Sequence, residues 1–312
     1  MVAKNILKIS WKTGLTTLIL FLAIMIAGMI FPAPMGETTE QEQQQIMGLL
    51  FLVLLVYALL LNLIVAKSSW RGIKLFIGLL IGFYGVQTVI GQIEAFVFLT
   101  PLGEKWGAGS IPMMQMPPGF IANQFFVWGL VALIGVPFAI MLYGKFKNEG
   151  KPAPGFWPHL SAKGWLWRIG AVIILYELLY FGFGYFVAWK NPAVQEFYQG
   201  TDPGSFLAQM QYVWSETPGL PVLQFFRALL WIAFTLPVIR MLKKPDWYGA
   251  LLTGLFVSLP MNIPHILPNP YMPADVSTAH FIETATSNFI LGIALFLLFR
   301  TKKYKESVAG RA

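Results

Sequence analysis

The amino-acid sequence predicts an all-α integral membrane protein with about eight transmembrane helices. Three observations carry that prediction. The chain is 56% hydrophobic and only 12% charged, roughly half the charged fraction of a soluble domain. Several apolar runs exceed the ~18 residues needed to span a bilayer. The basic residues gather in alternate connections between those runs, as the positive-inside rule requires.

Eight helices follow in order: Leu15–Phe31, Ile46–Ala66, Ile73–Leu99, Phe120–Tyr143, Leu166–Ala188, Leu220–Arg240, Tyr248–Ile266 and His280–Phe299. The first has a basic lead like a secretory signal. Its apolar run is too long for one, and FPAPMG after it is a poor cleavage site, so it reads as an uncleaved span. The tract Glu40–Gln45 reads as a solvated loop. Prolines in Ser110–Gly119 and Ile263–Asp275 predict extended segments near the interface. The long loop Lys190–Gly219 has room for an amphipathic helix at Gly204–Trp214. Ser277 or Thr278 is expected to cap the last helix.

Of the 22 basic residues, all but Lys105, Lys190 and Arg227 fall at one side, in the N-terminal lead, the even-numbered turns and the C-terminal tail. That predicts a bacterial-type cytoplasmic (inner) membrane protein with both termini in the cytoplasm. Basic residues so dispersed suit anionic lipid headgroups and exclude a nucleic-acid surface. With no cysteine, disulfides, thiolate metals and Fe–S clusters are excluded. No serine triad, Walker loop or dinucleotide-binding glycine pattern is present.

The chain reads as a single polytopic domain, 1–312, whose halves 1–150 and 151–312 are candidates for a 4+4 parallel repeat. Trp11-Lys12-Thr13-Gly14 opens the first helix, and Trp167-Arg168-Ile169-Gly170 the fifth. Trp70-Arg71-Gly72 precedes the third, and Trp247-Tyr248-Gly249 the seventh.

Few ionisable residues enter the spans: Glu94, Glu177, Arg227, His280 and Glu283, with His265 at the end of the seventh. At ~1.5 Å per residue, all six fall in the outer half of the bilayer. Charged groups at that depth are costly, and a shared level on several helices predicts one polar pocket facing outward. Gln87, Gln224 and Asn288 are the uncharged candidates beside them. Arg227 is expected to pair with one glutamate, which leaves surplus acid to be protonated or solvated. Glu177, nearest the midplane, is then the gating or proton-carrying acid.

The function expected is that of a transporter or permease-like protein for a small polar solute or lipid headgroup. One alternative is a membrane-embedded hydrolase or transferase, with His265, His280 and Glu283 holding a divalent metal. Another is a non-catalytic scaffold. No other cofactor is expected, and the bilayer is the expected partner.

Overall fold

The computed structural model describes residues 2–32, 39–109, 119–147, 153–198, 200–242, 246–269 and 271–300. Most of the Met/Pro stretch Ser110–Gly119 lies outside the described residues. Eight helices are long and apolar enough to cross a membrane. They are α1 (Val2–Ile30), α2 (Glu40–Lys67), α3 (Gly72–Phe98), α4 (Phe120–Leu142), α5 (Ala162–Ala188), α6 (Gly219–Met241), α7 (Trp247–Ile266) and α8 (Ala274–Phe299). Among the described residues no strand occurs, only isolated bridges at Ser68–Leu242 and Asn269–Met272.

Three local expectations are corrected. Glu40–Gln45 is the start of α2 and not a loop. Glu and Gln are good helix formers, and acid in a first turn suits the helix dipole. The helix α8 begins at Ala274, directly after Pro273, so neither Ser277 nor Thr278 caps it. The Ser277 hydroxyl instead donates to the His265 carbonyl at 2.8 Å, tying α8 to the end of α7. The expected extended segment at Ile263–Asp275 is broken too: Ile263–Ile266 forms a 3₁₀ turn that extends α7. The amphipathic helix in the long loop is present at Phe206–Glu216, capped by Ser205.

Apolar side chains cover the outside of the bundle, including Met29, Leu166, Ile174 and Leu178, each more than 60% exposed. Bilayer lipid is the natural solvent for such a surface. Most of the interior is one large core running from Leu20 to Phe299, with two smaller apolar clusters apart from it. Within it α7 and α8 approach closely. A Cβ added to Gly292 would stand 2.8 Å from the Gly254 Cα and the Thr253 carbonyl, the small-residue contact by which membrane helices pack.

Each half has its own set of helix contacts. In the first, α1 rests on α2 and α4, and α4 also contacts α2 and α3. In the second, α5 rests on α6 and α8, and α8 also contacts α6 and α7. The halves meet through α3 with α6 and through α2 with α7. Lys12 donates to the Leu142 carbonyl and Arg168 to that of Leu298, each 130 residues downstream.

Those two contacts illustrate a wider rule at the end of the bundle that carries the termini. There the helix C-termini present unpaired carbonyls, and basic side chains fill them. Lys145, 6% exposed, donates to the carbonyls of Val65 and Ser68 at 2.5 and 2.7 Å. The basic residues that mark topology in the sequence thus also close helix ends. The opposite end is covered by short helices, Pro101–Lys105 and Pro192–Phe197. The second of these packs Val194 against Ala188, Val276 and Ala279, and so brings Tyr198 over α8.

Candidate functional site

The site is built from side chains that their helices bring to one level near the covered end. Glu94 sits four residues before the end of α3, and Arg227 eight residues into α6. His280 and Glu283 lie six and nine residues into α8. At 1.5 Å per residue these are depths of about 6 to 14 Å.

The Arg227 guanidinium, 2% exposed, meets Glu94, whose side chain keeps 24% of its surface, at 2.7 Å from Nη2 to Oε2. Its Nη1 donates to Gln224 Oε1 at 2.8 Å. The same oxygen accepts from the Tyr176 hydroxyl at 3.1 Å, and the other Glu94 oxygen accepts from Tyr180 at 3.0 Å. Tyr176 and Tyr180 stand four apart on α5, one turn of the same face. The Tyr176 ring also lies under the guanidinium, 5.9 Å from its carbon. A buried guanidinium is tolerable only when its charge and its donors are matched, and Glu94, Gln224 and the ring supply most of that match.

The second cluster lies on α8. His280 Nδ1 contacts Glu283 Oε2 at 2.8 Å, and His280 Nε2 contacts the Tyr198 hydroxyl at 2.9 Å. A carboxylate can only accept, so the Nδ1 proton faces Glu283, and Nε2 is left to accept from Tyr198. The other Glu283 oxygen faces Gly184, where a Cβ would stand 3.4 Å away. Gly184 opens a π turn, Gly184–Ala188, at the end of α5; such turns re-aim a helix locally.

Tyr198 joins the two clusters. Burial pushes its phenol well above the usual range, and the Glu283 and Glu94 carboxylates both push the same way. Five elements contribute: α3, α5, α6, α8 and the segment after Pro192–Phe197.

Of the residues expected from sequence, Glu94, Gln224, Arg227, His280 and Glu283 are drawn into this network. His265 stands beside it, its ring 6.5 Å from that of His280. Gln87 is buried elsewhere, beside Tyr57, which donates to the Pro260 carbonyl at 2.7 Å. Asn288 is buried deeper on α8, below Glu283. Glu177 is half-buried on α5 next to Tyr176 and belongs to no hydrogen-bonded pair among the described residues. Among those residues no group of three or more His, Asp or Glu is arranged to hold a metal ion.

Sequence reasoning missed Tyr176, Tyr198 and Trp231. The first was legible as the i, i+4 partner of Tyr180. Trp231 continues the 3- and 4-residue spacing of Gln224 and Arg227 down α6. Tyr198 had no local signal, because a fold-back of the loop places it.

Several buried polar atoms on α6 have no hydrogen-bond partner among the described residues, Gln224 Nε2, Arg227 Nε and Thr235 Oγ1, while the Trp231 indole N–H faces the Tyr176 hydroxyl. Each such group costs about 1–3 kcal/mol if nothing satisfies it.

Fold and composition define a multi-pass, all-α membrane protein. No known protein family, curated protein or solved structure matches the chain.

Proposed function

We infer that the protein binds a small polar solute or lipid headgroup in this cluster and passes it across a bacterial-type inner membrane. One observation carries the reading: near one end of the bundle two carboxylates, Glu94 and Glu283, stand with a single buried guanidinium. Arg227 matches Glu94. Glu283 is left with only His280, which is neutral unless it takes a proton, so the site gains by accepting a proton or a positively charged group. Purely structural packing needs no such surplus.

In this reading Arg227 and Glu94 form the floor, and Glu283 with His280 forms the facing wall. Tyr198 orients His280 from above. Glu177, unpartnered on the adjoining face of α5, is a candidate acceptor for a proton moving inward. The basic termini-bearing end faces the cytoplasm, so the site opens on the other side. The matched packing of the halves, with the Lys12 and Arg168 contacts at a common spacing, supports a 4+4 parallel repeat that could rock about the α3–α6 and α2–α7 contacts.

The test uses purified protein in proteoliposomes on a solid-supported membrane, pulsed with small zwitterions, amines and carboxylates. At least one class should give transient currents. Glu283→Gln should reduce them tenfold or more, and Lys105→Gln, outside the site, should not. Currents equal to those of protein-free liposomes for every class would overturn the reading.

A further inference from the structure

Between α5 and α6 the chain forms the helix Phe206–Glu216, too short to cross a membrane and bearing uncovered apolar side chains. Leu207 is 68% exposed and Trp214 65%. They stand seven residues apart, which puts them on one face, with the partly covered Met210 beside them. Glu216, the helix's charged residue, is nine positions from Leu207 and so on the opposite side. Val213 and Phe206 face a third way, toward the protein. Val213 is buried, and the Phe206 ring stacks on that of Phe186 in α5 at 5.6 Å.

Those contacts fix the height of the helix. Phe186 lies two residues before the end of α5, so Phe206 sits at the level where that span leaves the membrane. At the far end α6 begins at Gly219, three residues after Glu216. Three residues reach about 11 Å at full extension. The Leu220 amide, bonded back to the Thr217 carbonyl at 2.9 Å, shortens that reach. The 11 residues of the helix measure about 16 Å, so an upright helix would outrun its own connection to α6. The helix therefore lies nearer to flat than to upright along the membrane boundary.

What covers its bare face follows from that height. The zone between headgroups and acyl chains accepts apolar side chains about 5–10 Å deep, and Trp collects there. Through Phe206 and the exposed Phe186 the patch is continuous with the lipid-facing surface of α5. The helix carries no basic residue, so burial of apolar surface, and not attraction to acidic lipid, would hold it in place.

We propose that Phe206–Glu216 is an interfacial helix whose Leu207–Trp214 face rests in the headgroup–acyl boundary of the leaflet away from the termini. The same loop carries Tyr198 over His280, so the membrane surface anchors the segment that covers the cluster.

The test is spin labelling of the full chain in lipid nanodiscs loaded at one chain each, on the naturally cysteine-free background. Leu207→Cys, Trp214→Cys and Glu216→Cys each carry a nitroxide. Its relaxation by oxygen, which concentrates in lipid, is compared with its relaxation by a water-soluble nickel chelate. All three positions are exposed, so the labels leave the packing intact. Labels at 207 and 214 should favour oxygen and meet the chelate at least fivefold less often than the label at 216. Equal chelate access at all three positions would overturn the proposal, because the face would then stand in water. Low access to both reagents at 207 and 214 would overturn it as well, with protein and not lipid as the cover. Solute currents do not enter the readout: a lipid-facing helix stands whether or not any solute passes.

Discussion

Replacing Arg227 by methionine tests the energetic heart of the site. The change keeps most of the side-chain volume and removes the charge that lies 2.7 Å from Glu94. Breaking one side of a buried pair typically costs about 3–5 kcal/mol, because the remaining charge is stranded. Glu94 retains a quarter of its side-chain surface and can recruit water, which places the cost near the lower end. Loss of the donor to Gln224 Oε1 adds about 1 kcal/mol. Arg227→Met should therefore destabilise by about 3–4 kcal/mol. Glu94→Gln strands the more deeply buried guanidinium and should cost about 4–5 kcal/mol. The double variant leaves neither charge exposed to a dry interior, and it should fall short of the sum by about 2 kcal/mol or more. The assay is unfolding by SDS titration from mixed micelles, followed by tryptophan fluorescence. Strictly additive single and double effects, or a single-variant cost under about 0.5 kcal/mol, would refute the buried-pair reasoning.

Three further outcomes follow from the same contacts. Lys145→Met removes a nearly buried cation from the C-terminal carbonyls of α2 and should cost about 2–3 kcal/mol in the same titration, whereas Lys147→Met, exposed nearby, should leave the midpoint in place. Tyr198→Phe takes the hydroxyl from His280 Nε2; it should cost about 1 kcal/mol and shift the pH dependence of any solute current, with the helical content unchanged. The loop between Trp189 and Gly204 is pinned by the exposed Lys190–Asp202 pair. A hydrogen bond from Lys190, with a second from the Gly204 amide, holds the Asp202 carboxyl below the usual range, and the hydrogen bond to Asp202 holds Lys190 above its own. A lowered acid loses its contribution as pH falls through its folded value, and a raised base loses its contribution as pH rises through its folded value. Loop closure should thus persist across neutral pH and loosen below the carboxylate range and above the lysine range, read as faster limited proteolysis in the loop at those extremes.

Much of the fold was legible because membrane spans announce themselves by length and apolarity. The predicted span Ile73–Leu99 lies within one residue of α3 at each end. Ends failed where propensity and proline override hydropathy. Glu40–Gln45 is polar and yet helical, and α8 starts six residues before His280 because Pro273 is the last residue that cannot continue it. A helix starting at His280 would put Glu283 three residues in, and it lies nine residues in.

The site was legible by depth and not by partnership. A shared level flagged Glu94, Arg227, His280 and Glu283, and the geometry adds which acid pairs with the arginine. Tyr198 and the choice between Glu94 and Glu177 depend on how helices rotate and loops fold back, which no local pattern encodes. Those are tertiary facts.

In the proposed reading the cluster opens to the side away from the termini. The chain contains no cysteine, so single reporters can be introduced on a clean background. His280→Cys places a thiol in the cluster, and Ile282→Cys places one two residues on, where the native side chain is 52% exposed toward lipid. Intact cells are treated with a charged, membrane-impermeant methanethiosulfonate and the remaining thiols are counted. Rapid modification is expected at position 280 from outside the cell, with position 282 protected. Protection at 280, or modification only after the cytoplasmic face is exposed, would contradict it.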